Sequence, residues 1–155
     1  MRRLFIQYRS IESAAAAALG RESKILYAGT NREIDEAFAR LASEPVAALV
    51  VVTSAFFFGR RVQIATWATR QAVPVLFSNR EYAEVGGLMS YGSNASERNR
   101  LAGQYVGRIL KGEKPADLPV IGPSRYEFVI NLQTARTLGI EIPPTLLAIA
   151  DEVIE

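Results

Sequence analysis

Three short segments carry the side chains best suited to chemistry: Ser54-Ala55-Phe56-Phe57, Ser78-Asn79-Arg80 and Ser90-Tyr91. Each follows an apolar run that reads as a strand. Together they offer hydroxyl, amide, guanidinium and ring groups, a mixture that can cradle a small polar molecule with an apolar part. Plainer readings stand beside this one. Phe56 to Phe58 also reads as a loop plug over the core. Arg80 also reads as a solvated loop charge, or as the partner of Glu81 or Glu84. Covalent and proton-transfer chemistry have few candidates. The chain has no histidine and no cysteine, which removes the commonest general base, the commonest metal ligand, and any thiolate or disulfide. Without histidine no Ser-His-Asp triad can be built, and no serine sits in a G-x-S-x-G elbow. No glycine-rich phosphate cradle follows a strand. Glu33, Asp35, Glu36 and Glu44 read as solvated helix carboxylates. The expectation is a binding protein and not an enzyme, with no cofactor and no metal.

The stretch Gly86-Gly87-Leu88-Met89-Ser90-Tyr91-Gly92 separates an alternating helix–strand region from a tail of different organisation. Glycine tolerates positive φ and close backbone approach. Gly86, Gly87 and Gly92, joined by Pro119 further on, therefore read as hinge positions. Read alone, the stretch is equally a tight strand with glycine corners.

At 155 residues the chain is one domain with room for a real core. The net charge of +2 is small and the basic residues are scattered, which argues against nucleic acid as a partner. Met1-Arg2-Arg3 has the charge of a signal n-region. Gln7, Arg9, Glu12 and Arg21 interrupt any apolar run behind it, so the reading expects no signal peptide and no membrane span.

The elements that would position the three segments read as follows. Leu4 to Tyr8, Lys24 to Ala28, Ala47 to Val52, Pro74 to Phe77, the glycine stretch and Tyr126 to Asn131 are strands. Ser10 caps an Ala-rich helix ending at Gly20, and Thr30 or Asn31 caps a helix with Ile34, Ala37, Phe38 and Leu41 on one face. A helix to about Gln71 follows Phe58, and a helical turn spans Tyr82 to Val85. A long helix from Ser96 to Lys111 carries Leu101, Tyr105 and Ile109 on one stripe, beside Ala102 and Val106. Pro115, Pro119 and Pro123 keep the next segment extended. Leu132 to Leu138 and Thr145 to Ala150 are short helices. The unbroken apolar run Ala47 to Val52 suggests burial on both faces. This alternation predicts an α/β fold: an open, mostly parallel sheet of about five strands with helices on both faces. In such sheets ligands bind at the edge formed by the strand C-termini, where the three segments should gather.

From about Ile11 to Glu155 the chain resembles the C-terminal part of the ABC transporter substrate-binding proteins of the type I periplasmic-binding-protein-like group, tryptophan- and tyrosine-binding members included. The residues that carry this are Ile34-Asp35-Glu36-Ala37-Phe38, Phe56-Phe57 with Arg60-Arg61 and Gln63-Ile64, Val73-Pro74, Arg80-Glu81-Tyr82 and the glycine stretch. Further on are Gly107-Arg108-Ile109-Leu110-Lys111-Gly112, Pro115 to Pro119, Phe128 to Leu132, Leu138-Gly139, Ile142-Pro143-Pro144 and Ala150 to Glu155. The resemblance implies two Rossmann-like lobes around a cleft. Residues 1–92 would form the second lobe, 93–116 a crossover helix belonging to the first, and 117–155 a return segment completing the second. It implies a truncated solute-binding module that takes an amino acid or similar small carboxylate, with Ser54, Phe56, Phe57, Ser78, Asn79, Arg80, Ser90 and Tyr91 toward the ligand. It also implies an ABC permease as partner and a periplasmic location, whereas the chain as it stands, without a signal, would be cytoplasmic. The loop Tyr8-Arg9-Ser10 is shorter than the family's. The alternative is a non-binding assembly fragment that pairs with itself or with a separate first lobe. In either case the stripe of the Ser96–Lys111 helix lacks a sheet to pack on, so a homodimer through it is expected.

Overall fold

The computed structural model describes residues 3–5 and 11–155 of the chain, with side chains from Ala14 onward. The elements in order are β1 (Arg3–Phe5), α1 (Ile11–Ala18), β2 (Glu22–Lys24), α2 (Asn31–Ser43), β3 (Val46–Val51), α3 (Ala55–Gly59), α4 (Arg61–Arg70) and β4 (Val75–Phe77). Then come α5 (Arg80–Glu84), β5 (Met89–Ser93), α6 (Ala95–Leu110), β6 (Tyr126–Asn131), α7 (Leu132–Thr137), α8 (Pro144–Ile149) and β7 (Glu152–Ile154). The strands form one sheet in the order β2-β1-β3-β4-β5-β6-β7. Every described pairing is parallel except β5 with β6.

The pleat and the register sort side chains onto two faces. Val51, Phe77, Ser90 and Val129 are successive cross-strand partners and share one face. That face carries the larger core, built from Ile34, Phe38 and Leu41 of α2, Ile64 and Ala68 of α4, and Tyr82 of α5. The other face presents Val50, Leu76, Met89 and Ile130. Beneath β5 and β6 it packs against Ala135, Leu138, Leu146 and Leu147 of the α7–α8 region. Helices therefore flank both faces, as the alternation predicts.

Local chemistry explains the helix boundaries. α2 begins with a capping box: the Glu33 backbone N–H donates to Thr30 Oγ1 at 3.2 Å, and the Glu33 carboxylate accepts from the Thr30 N–H at 3.1 Å and the Gly29 N–H at 2.7 Å. The Gly29 bond is the main reason the Glu33 carboxyl is held below its usual range. Asp35 accepts from Trp67 Nε1 at 2.7 Å and from Gln63 Nε2 at 2.9 Å, tying α2 to α4.

Several boundaries differ from the sequence expectations. The sheet has seven strands and not about five. The unanticipated β7 is a three-residue strand held by nonlocal pairing with β6, which leaves no local pattern to read. The second strand is Glu22–Lys24 and not Lys24 to Ala28, because β1 pairs there. Leu26 and Ala28 pack instead against the larger core. β3 is fully buried only at Val51, and an open cleft lies beside Val50 and Val52 at its C-terminal end. Residues 6–8 of the first expected strand, the Tyr8-Arg9-Ser10 loop and the Ser10 cap lie outside the described residues. The Pro-spaced connector does not reach outward. It contains a 3-10 turn at Pro115–Asp117 and folds back on α6, where the Tyr105 hydroxyl donates to the Pro119 carbonyl at 2.5 Å and the Ser124 hydroxyl to Glu97 at 2.6 Å. Leu101 and Tyr105 are thereby half-covered. Val106, Ile109 and Leu110 stay 55%, 40% and 83% exposed, and α6 has no buried residue.

Candidate functional site

The C-terminal ends of β3, β4 and β5 converge on an open cleft of about 340 Å³. Its floor is Val50, Val52 and Leu76, its rim carries Thr53 and Ser78, and Tyr91 forms a wall. The Thr53 hydroxyl donates to Ser78 Oγ at 2.8 Å, and Ser78 Oγ donates to Asn79 Oδ1 at 3.1 Å. Tyr91 is 55% exposed and stacks on Tyr126 with ring centroids 5.6 Å apart and planes 13° apart, while Phe128 meets it edge-on at 6.3 Å. The cross-strand pairing of β5 with β6 places these three rings on one face. None of the described residues lining the cleft is charged. The arrangement suits a small molecule with an apolar or aromatic body and a few hydrogen-bonding groups. A second cavity of about 70 Å³ lies among Leu26, Ile34, Phe38, Leu49, Phe57 and Ile64. Its lining residues are apolar throughout, so it offers nothing to orient a polar ligand.

The eight residues expected to face a ligand separate into two groups. Ser78 and Tyr91 line the cleft, and Asn79 stands directly behind Ser78. Ser54 occupies the N-cap position of α3 without a side-chain cap bond and is half-buried. The others point elsewhere. Phe57 is buried in the larger core and Phe56 packs against that core, as the plug reading has it. Ser90 is 1% exposed, because its register partner is Phe77 on the helix-covered face, and its hydroxyl has no partner. Arg80 is committed to three carboxylates: Glu84 at 2.9 Å, Glu127 at 2.7 Å and Glu152 at 2.8 Å. The hydrogen bond to Glu84, then that to Glu152, raises its already high pKa further, so it stays charged and paired. It is not a free anchor for a ligand carboxylate.

The glycines are required for three different reasons. Gly86 has φ of +99°, which a side chain rarely adopts. A Cβ on Gly87 would fall 2.6 Å from the Phe77 ring and 2.7 Å from the Tyr82 carbonyl oxygen. A Cβ on Gly92 would fall 1.8 Å from the Ser78 carbonyl oxygen. Gly86 and Gly87 form the turn entering β5, at the opposite end of that strand from the point where the chain leaves for α6. The chain leaves β5 at Ser93-Asn94 and re-enters the sheet at Ser124-Arg125, two points joined by an Asn94 N–H to Arg125 carbonyl bond of 3.2 Å. Of the hinge candidates, Gly92 adjoins the point of departure and Pro119 lies on the connector before the point of return. Sequence reasoning passed over Thr53, Tyr126 and Phe128 as site residues. Thr53 was visible as the stop of β3, but Tyr126 and Phe128 join the site only through antiparallel pairing.

Residues 12–154 match the family model described as ABC transporter substrate binding protein. The chain belongs to that family. It is similar to a conserved domain protein from Vibrio cholerae O1 biovar eltor, with a TM-score of 0.88 and 22% identity over 98% of this chain and 54% of that one. It is also similar to an ABC domain in complex with L-Trp from Streptococcus pneumonia, with a TM-score of 0.86 and 26% identity over 99% of this chain and 56% of that one. A third likeness is to a ligand-free, open substrate binding protein with adhesive properties from Clostridium difficile, at a TM-score of 0.65 and 20% identity over 99% and 54% of the two chains. The chain thus spans little more than half the length of these structures. No curated protein matches it. The family is one of solute-binding proteins and not an enzyme class. Among the described residues no helix is long and apolar enough to cross a membrane, and no cluster of acidic residues is placed to hold a metal.

Proposed function

We propose that the chain is the second lobe of a two-lobed solute receptor for an ABC uptake system, and that it takes an amino acid or similar small carboxylate at the Thr53–Ser78–Tyr91 edge. The observation that carries this reading is the open cleft with hydroxyls on its rim, an apolar floor and an exposed tyrosine ring. The L-Trp complex of the pneumococcal relative supports the ligand class. Among the described residues no charge lines this half of the cleft, so in this reading a bound carboxylate draws hydrogen bonds from Thr53 and Ser78 here and its countercharge from the opposing lobe. That lobe packs on the exposed side of α6, where Ala102, Val106, Ile109 and Leu110 are uncovered. Residues 93–116 then belong with the first lobe, Gly92 and Pro119 serve the two crossings, and the receptor works outside the cytoplasmic membrane and hands its ligand to a permease.

Calorimetric titration of the purified chain with each amino acid tests the site. Weak binding in the range of about 1 mM is expected for one lobe alone. Tyr91→Ala and Ser78→Ala should abolish it, and the exposed Val62→Ala on α4 should leave it intact. Absence of heat for all amino acids, or binding indifferent to both site substitutions, refutes the assignment. The exposed α6 face also favours a second reading, a homodimer that pairs this helix across a twofold axis. Sedimentation at tens of micromolar separates the two, since a clean monomer excludes it.

A further inference from the structure

Arg80 sits at the junction of three parts of the molecule that the proposed ligand site needs to coordinate. It directly follows Ser78 and Asn79 of the cleft rim. Its guanidinium reaches Glu84 within its own helix, Glu127 on β6 and Glu152 on β7. Glu127 pairs in register with Gly92, two residues past the return crossing at Arg125. Gly92 in turn is pressed against the Ser78 carbonyl so closely that no side chain fits between them. The rim segment 78–80 is therefore held twice by the crossing strands: once by backbone contact at Gly92, and once by the Arg80–Glu127 ion pair, whose Glu127 side chain is only 16% exposed.

We propose that Arg80 is a positioning residue that locks the Ser78–Asn79 rim to the two crossing strands, so that rim and crossing move as one body. Such a link makes the angle at which the chain leaves the lobe depend on how the rim is occupied. Arg80 does this without touching ligand. The ligand aspect rests on the function proposed above, but the mechanical link does not. Of its three ion pairs only the one to Glu127 engages a crossing strand, so substitutions at Glu127 and Glu84 separate positioning from simple anchoring of α5.

Residue-resolved amide hydrogen exchange on the unliganded chain tests the link directly. Glu127→Gln and Arg80→Gln should each accelerate exchange at residues 78–80 and at 91–93 together, by about tenfold or more. Glu84→Gln, which removes a pair made within α5, should leave 91–93 within about twofold of the parent. Arg80→Lys keeps the charge and should restore much of the protection at 91–93 where Arg80→Gln does not. If Glu84→Gln and Glu127→Gln act alike, or if Glu127→Gln loosens 126–128 while 78–80 stay unchanged, the link is refuted. Should Arg80→Gln fail to fold, the two glutamate variants decide alone. Because no ligand is present, failure here is distinct from failure of the amino-acid titrations.

Discussion

Gly92→Ala probes a close backbone approach between β5 and the segment after β4. Gly92 does not have positive φ, so alanine brings no dihedral strain and the whole effect is steric. The new methyl carbon would lie 1.8 Å from the Ser78 carbonyl oxygen and 2.8 Å from its carbonyl carbon. Ordinary contact begins near 3.4 Å, so β5 and the rim must part by about 1.6 Å. Both sides are backbone: Ser78 directly follows β4, and Gly92 is fixed by pairing with Glu127. Overpacking of this kind costs about 1–3 kcal/mol where side chains can adjust. Here no flexible side chain stands between the two backbones, so a loss at or above the upper end of that range is expected. Urea unfolding followed by far-ultraviolet circular dichroism measures it, with the midpoint falling at unchanged slope. Gly86→Ala serves as a comparison, since nothing lies within 4 Å of its added methyl and only its φ of +99° opposes the change. A Gly92→Ala chain within about 0.5 kcal/mol of the parent would show that the rim yields freely, and the close-contact reasoning would fail.

Gly103→Ala should act oppositely: it lies inside α6 with open space around it, so alanine should stabilise the chain by about 0.5–1 kcal/mol in the same denaturation assay. Thr30→Ala removes the hydroxyl of the α2 capping box and should cost about 1 kcal/mol, read as a lowered melting temperature. Tyr82 should make the fold alkali-sensitive. Burial pushes its hydroxyl from 10 up to about 12, so the neutral phenol is favoured in the folded chain. The stability this contributes is complete below the unfolded value near pH 10 and is lost as pH rises through 12, by about 3 kcal/mol at most. Urea midpoints at pH 9, 11 and 12 should fall for the parent and fall less for Tyr82→Phe.

The fold was legible where local pattern and tertiary burial agree. The Ile34, Phe38 and Leu41 stripe, a cap at Thr30 or Asn31 and the alternation of apolar strands with helices were all readable, because period and capping are properties of neighbouring residues, though only the structure picks Thr30 and its box with Glu33. β7 escaped because three residues carry no period. The site was half legible. Ser78 follows β4, Tyr91 lies within β5, and both line the cleft, but chain position cannot say which face of the sheet a residue takes. A shift of one residue separates exposed Tyr91 from buried Ser90, and that parity is fixed by register with Phe77 and Phe128. Arg80 likewise found partners 47 and 72 residues away, beyond any local reading of its charge.

The one antiparallel pairing among the described strands has a topological consequence. Because β6 runs back along β5, with Ser93 opposite Tyr126 and the Asn94 N–H bonded to the Arg125 carbonyl, the chain departs and returns through one doorway. The two strands are a β-hairpin whose loop has grown to hold residues 95–124. A hairpin loop can be exchanged without redrawing the sheet that bears it. Replacing 95–124 by an Asn-Gly turn should therefore leave the seven-stranded sheet folded, which far-ultraviolet circular dichroism would check.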